Sequence, residues 1–148
     1  MSVRVPPHRD DQNQKVQQMA LPSRTPDQLV AILRDTVVSM VRRDGVDLSA
    51  RQLGVFLTCY LRDDVHTVRG LAAELNVSKP AITRALDRLE ELDFARRKVD
   101  PLDRRSVIVQ RSPKGSAFLR DVRGMLDSAA KGGQPVAPKA PARKRSAG

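Results

Sequence analysis

Three residues, Asn76-Val77-Ser78, separate a short amphipathic segment from a longer one, and this spacing constrains the fold more than any other feature of the chain. Upstream, Gly70 to Leu75 carries Leu71, Ala72 and Leu75 as its apolar positions. Downstream, Lys79 to about Asp93 repeats Ile82, Ala85, Leu86, Leu89 and Leu92 at helical spacing. Ser78 stands where a helix cap belongs, and Pro80 lies in the first turn, where a missing N–H costs nothing. A short helix, a tight turn and a longer amphipathic helix make a helix-turn-helix. The polar side of the second helix holds Lys79, Thr83, Arg84 and Arg88, opposite Ile82, Leu86 and Leu89. An α-helix fits the major groove of B-DNA, and its first turns can reach base edges. Any αα-hairpin in a small helical domain would share this spacing, so the motif needs support from the residues C-terminal to it.

That support is a basic hairpin. Phe94 to Val99 reads as a strand and Val107 to Gln110 as its partner. Between them, Asp100-Pro101-Leu102-Asp103-Arg104-Arg105 has turn chemistry and two arginines at the tip. Arg96, Arg97 and Lys98 flank it. A two-stranded wing with arginines at its tip can lie along a DNA backbone and place a guanidinium in the narrow minor groove. Asp103 beside them is expected to orient an arginine through a bidentate pair. The plainer alternative is a solvated edge hairpin whose charges prevent aggregation. Its position directly after a helix-turn-helix argues against that.

Three more helices surround the motif. Thr25-Pro26 opens the first, with Thr as cap and Pro in the first turn. Leu29, Ile32, Leu33, Val37, Met40 and Val41 recur at helical spacing, and Val30 and Val38 widen the stripe. The helix ends near Arg42-Arg43-Asp44-Gly45. Ser49, with Gln52 three residues on, has the spacing of a capping box and opens the second helix, with Leu53, Phe56, Leu57, Tyr60 and Leu61 as its expected buried face. His66-Thr67-Val68 suggests a short strand. Ser112-Pro113 opens the last helix, with Phe118, Leu119, Val122, Met125 and Leu126 apolar and Gly132-Gly133 as its stop. The expected fold is mainly α with a small β-hairpin, a winged helix-turn-helix. Its core should rest on Leu, Val, Ile and Ala, since the chain has three Phe, one Tyr and no Trp.

The 148 residues suit one domain with tails. Residues 1–24, polar and rich in Gln and Pro, read as a disordered arm; residues 131–148, made of Pro, Ala, Lys and Arg, read as a disordered basic tail. The domain then spans 25–130, with 25–43 and 113–130 as flanking helices. Net charge is +10, and a positive field of this size attracts phosphate. Lys131, Lys139, Arg143, Lys144 and Arg145, with no acid among them, place +5 of that in the tail. Such a tail would add affinity for any DNA through counterion release.

Other chemistries find little footing. No apolar run approaches the roughly 20 residues needed to span a bilayer. Met1 to Asp11 has no hydrophobic stretch of the kind a signal peptide needs, so a cytoplasmic, nucleoid-associated location is expected. Cys59 is the single cysteine, which rules out an internal disulfide, and it reads as core rather than a redox thiol. His8 and His66 are too few and too far apart for a metal site. No nucleophile–base spacing or Gly-rich phosphate loop is present, so neither an enzyme nor a cofactor is expected.

The stretch from Ser49 to about Leu119 resembles the MarR family of winged-helix transcription regulators. The resemblance is carried by Leu71 to Glu90, by Asp100-Pro101-Leu102-Asp103-Arg104-Arg105-Ser106, and by Ser112-Pro113-Lys114-Gly115. It implies a homodimer on pseudo-palindromic double-stranded DNA, with helix 79–93 in the major groove and wing 95–110 in the minor groove. By motif position, Pro80, Ala81 and Arg84 face the major groove and Ser78 and Thr83 contact phosphate. Arg105 is the wing-tip arginine, Asp103 its support, and Arg104 lies beside the backbone. The sequence departs from the family at its ends: the last helix is short and gives way to the basic tail. The first helix is then the expected dimer element, joined by residues 116–130, unless its stripe merely covers the domain's own core. A small-molecule effector is compatible with the resemblance, and nothing in the sequence selects one. The rival readings are an architectural DNA-coating protein and a protein-docking winged helix.

Overall fold

The computed structural model describes residues 23–43 and 46–133. Within them run α1 (Pro26–Arg42), α2 (Ala50–Leu61), α3 (Val68–Leu75), α4 (Lys79–Glu91), β1 (Ala95–Val99), β2 (Val107–Arg111) and α5 (Pro113–Ala130). The strands form a two-stranded antiparallel sheet, with Ala95 opposite Arg111 and Val99 opposite Val107. This is a winged helix-turn-helix. Most of the expected arm and tail, and Asp44 and Gly45, lie outside the described residues.

Capping residues fix the helix starts. The Thr25 hydroxyl accepts the Gln28 N–H, and the Gln28 side chain accepts the Thr25 N–H; Ser49 and Gln52 repeat this reciprocal pair. Thr67, Ser78 and Ser112 each accept the N–H three residues on. Thr67 starts α3 earlier than the apolar pattern suggests. The short strand expected at 66–68 therefore shrinks to one bridge, Thr67 with Ile108, beside a Val109 N–H to His66 carbonyl bond of 2.8 Å.

Two helices end in a left-handed residue other than glycine. Asn76, at φ 51° and ψ 48°, closes α3 in the left-handed conformation. After α4, Asp93 takes φ 56°. There the Phe94 N–H reaches the Leu89 carbonyl at 2.7 Å and the Asp93 N–H reaches that of Glu90 at 2.9 Å. This is a Schellman ending. It turns Phe94 into the core rather than into the strand expected of it, and β1 starts at Ala95.

The core departs from the aliphatic expectation. All four aromatic rings of the chain meet in it: Phe56 stacks on Tyr60 with centroids 4.4 Å apart, Phe94 stacks on Phe118 at 4.6 Å, and Phe56 meets Phe118 edge-on at 5.2 Å. Ile82, Leu86 and Leu89 of α4 close over the same cluster. On α2 the buried face is Val55, Phe56, Cys59 and Tyr60. Leu61, expected inside, falls off that face by helical rotation and is 59% exposed. Leu126 of α5 is likewise exposed.

Helix α1 packs chiefly on α5. It buries Thr36 and Ser39, two polar residues, and the Thr36 hydroxyl donates to the Ile32 carbonyl at 2.7 Å. Leu29, Val30, Leu33, Val37 and Val41 remain exposed. The stripe therefore does not serve the domain's own core, apart from Met40, which packs against it.

Candidate nucleic-acid interface

The α4 N-terminus presents a polar surface because its apolar side is committed. Ile82, Ala85, Leu86 and Leu89 are buried. Ser78, Lys79, Pro80 and Arg84 are exposed, and Ala81 and Thr83 are half-buried. The Ser78 hydroxyl accepts the Ala81 N–H at 3.3 Å, which leaves its own proton free to donate. Among the described residues, neither Lys79 nor Arg84 has a carboxylate partner. Arg88, one turn further on, pairs with Glu91 at 3.0 Å.

Arg97 is engaged by carboxylates and is not a free cation of the hairpin. Its guanidinium binds Glu90 and, at 2.6 Å, Asp87. Its backbone N–H donates to the same Glu90 carboxylate at 2.7 Å. The Glu90 carboxyl is held below its ordinary value chiefly by the Arg97 hydrogen bond, and the Arg97 guanidinium is pushed up by Glu90. Arg97 thus ties the wing to α4. Arg96 pairs with Asp93 at 3.3 Å.

The wing tip is built by its own carboxylates. Asp100 accepts the Leu102 N–H at 2.9 Å, and the Asp100 N–H donates to the Ser106 carbonyl at 2.9 Å. Asp103 accepts the Arg105 N–H at 3.1 Å and the Ser106 hydroxyl at 2.8 Å. Those two bonds, the hydroxyl first, lower its pKa. The bidentate arginine pair expected of Asp103 is not formed. A carboxylate two residues before an N–H closes onto the backbone of its own turn. Arg104 and Arg105 are exposed, and among the described residues their guanidinia have no carboxylate partner.

Between α4 and the wing lies an open cleft of about 670 Å³, lined by Arg69, Lys79, Thr83, Arg97, Asp103 and Arg105 among others. The structure thus brings Lys79, Thr83 and Arg105 together. It adds Arg69, which the motif reading missed. Its signal was a cation in the first turn of α3, two residues after the cap Thr67.

The remaining candidates are structural. Cys59 is buried, and desolvation pushes its thiol up to about 12. His66 is buried, with Nε2 at 3.1 Å from the Arg62 carbonyl; His8 lies outside the described residues. No cluster of three metal-ligating side chains occurs among the described residues. No helix among them is long and apolar enough to cross a membrane.

Residues 46–106 match the family model for the MarR family. Members of that family are DNA-binding transcription regulators and not enzymes. Comparison with curated proteins gives no match. Among solved structures, the chain is similar to the transcriptional regulator BldR from Sulfolobus solfataricus, at 24% identity and a TM-score of 0.54, covering 83% of this chain and 81% of that one. It is similar to YusO from Bacillus subtilis, at 19% identity and a TM-score of 0.57, covering 82% and 80%. It is also similar to S. aureus MepR in a complex with DNA, at 17% identity and a TM-score of 0.52, covering 80% and 82%. At these identities the solved structures speak to the fold.

Proposed function

Taking residues 46–106 as a winged helix-turn-helix domain of the MarR family, we infer that this chain is a sequence-specific DNA-binding transcription regulator that acts as a homodimeric repressor. The observation that carries the reading is the cationic cleft. Lys79 and Arg105 face it without a carboxylate partner among the described residues, one from the helix and one from the wing. In this reading α4 enters the major groove with Pro80, Ala81 and Arg84 toward base edges. Ser78, Lys79, Thr83, Arg69 and Arg104 contact the backbone, and Arg105 enters the minor groove on a tip shaped by Asp103. Arg97 serves the interface by tying the wing to α4, and Arg88, one turn beyond Arg84, lies within reach of the backbone. The fold on which this reading rests is shared with S. aureus MepR, which was solved in a complex with DNA.

Dimerisation falls to α1 and α5. The exposed Leu29, Leu33 and Val37 recur every fourth residue, which places them on one face of α1. A second copy that covers this face sets two α4 helices about one DNA turn apart, as a pseudo-palindromic site requires. An apolar groove of about 330 Å³ between α1 and α2, lined by Leu33, Val37, Met40, Val46 and Leu53 among others, gives a small apolar effector a place to act on that geometry.

The second reading, an architectural protein of the nucleoid, draws on the charge of residues 131–148. Capture of fragmented genomic DNA by the purified protein at physiological salt, with excess random competitor, followed by sequencing, separates the two. Sharp peaks that share an inverted repeat support the dimeric regulator. Broad recovery that follows base composition supports the architectural reading. Sedimentation of Leu33→Glu beside the wild type tests the dimer: the regulator reading requires the variant to fall to monomer.

A further inference from the structure

Leu102 is the most exposed large apolar residue of the described chain, at 96%, and it stands at the tip of the wing. Its exposure is imposed by the loop. The Asp100 carboxylate holds the Leu102 N–H, Pro101 fixes the backbone between them, and Asp103 braces the other side of the turn through Arg105 and Ser106. At its base the hairpin is tied to α4 through Arg97, and its outer strand is held to His66 and Thr67. A wing anchored at both ends cannot fold its leucine back onto the domain. The side chain is therefore held in water beside Arg104 and Arg105, whose guanidinia have no carboxylate partner among the described residues.

A surface that receives all three groups needs anionic walls and an apolar floor or flank. The minor groove of DNA has both: phosphates along its edges and the C–H faces of the sugars between them. Apolar side chains are a recurrent means of engaging that groove. Arg105 also lines the cleft with Lys79 and Thr83, so the tip points to the same partner as α4. We propose that Leu102 is a DNA contact, an apolar wedge that the wing lowers onto the sugar faces of the minor groove, while Arg105 enters the same groove and Arg104 takes the flanking phosphates. The proposal rests on the DNA-binding reading and adds to it a contribution that salt does not screen.

The test compares full-length wild type, Leu102→Ala and Leu102→Met on a mixed-sequence duplex by fluorescence anisotropy across a salt series. Vesicles of phosphatidylglycerol in phosphatidylcholine serve as a second probe. Because Leu102 packs on nothing, the variants should keep the wild-type circular dichroism and melting. The expected result is about five- to tenfold weaker DNA binding for Leu102→Ala at every salt concentration, the scale of partly uncovering one leucine. The slope of log affinity against log salt stays that of the wild type, and Leu102→Met recovers most of the loss. DNA binding by Leu102→Ala equal to wild type overturns the proposal. So does a loss that comes with a shallower salt slope, which would mean that the arginines had moved. A loss seen only on the vesicles assigns Leu102 to a lipid surface and also overturns it. If the wild type binds no duplex even at low salt, the DNA-binding reading itself falls, an outcome distinct from an indifferent leucine on a protein that binds.

Discussion

Arg97 and Glu90 are joined three times: the Arg97 backbone N–H donates to Oε1 at 2.7 Å, its Nε donates to Oε2 at 3.0 Å, and its Nη2 donates to the same Oε2. One residue belongs to the wing and the other to the helix that carries the candidate base contacts. Asp87, one turn earlier, takes the same guanidinium. Helix α4 and the wing are therefore set relative to each other by a charged tie, whose arginine also lines the cleft between them.

Arg97→Ala should cost about 1–2 kcal/mol in urea denaturation, the scale of charge-assisted hydrogen bonds on a partly exposed site. It should weaken DNA binding through wing misplacement. Because Arg97 makes no phosphate contact in the proposed complex, the salt slope of binding should remain that of the wild type. A reduced slope would show that Arg97 touches DNA after all.

The same pair predicts a pH dependence. Glu90 titrates below its ordinary value of 4.5 in the folded chain, so folding favours its ionised form. Its contribution is whole from neutral pH down to the ordinary glutamate range, and is lost as pH falls further, through the lowered native value. Wild type should lose stability on Glu90→Gln at neutral pH, and the gap between the two should close in acid. A gap that stays constant in urea titrations down to acid pH would count against the linkage.

Gly115 should tolerate no side chain. A Cβ there would lie 1.9 Å from Tyr60 Oη and 2.4 Å from the Phe94 carbonyl oxygen. Tyr60 cannot yield easily, because its hydroxyl donates to the Phe94 carbonyl at 2.7 Å and accepts the buried Ser112 N–H at 2.9 Å. Gly115→Ala is expected to cost about 3 kcal/mol or more, by overpacking and by breaking this junction of α2, wing and α5. Tyr60→Phe should cost about 1–3 kcal/mol, since it leaves the Ser112 N–H unpaired. Thermal melts of the two variants check both values.

Arg84 and Arg105 should fail in different ways. Arg84→Ala is expected to weaken the preferred site by about 1–3 kcal/mol and relax base choice, with little change on random DNA. Arg105→Ala should weaken binding on both and reduce the salt slope by about one unit. Competition titrations with the site recovered from genomic DNA and with random duplex distinguish them, and equal losses for Arg84→Ala on both would remove it from the base contacts.

The sequence by itself determined where four of the helices start and which side of α4 faces the core. Caps such as Thr25, Ser49, Ser78 and Ser112 act on N–H groups three residues away, and the spacing of Ile82, Ala85, Leu86 and Leu89 needs no distant partner to be read. The wing was legible from its turn residues and its charge. Tertiary structure alone decided which charges are free. Arg97 and Arg105 look alike in a basic hairpin, yet Arg97 meets two carboxylates from α4 and Arg105 meets none. Only the packing of the hairpin on the helix sets them apart. It also decided the core: four aromatics scattered from Phe56 to Phe118 form one cluster because the Asp93 turn and the Tyr60 hydrogen bonds bring three elements to one point. The exposed face of α1 has the same cause, since packing buries the side that carries Thr36 and Ser39 and leaves Leu29, Leu33 and Val37 outward. Local rules act within a helical turn, whereas partner choice depends on which distant groups the folded chain places within bonding distance.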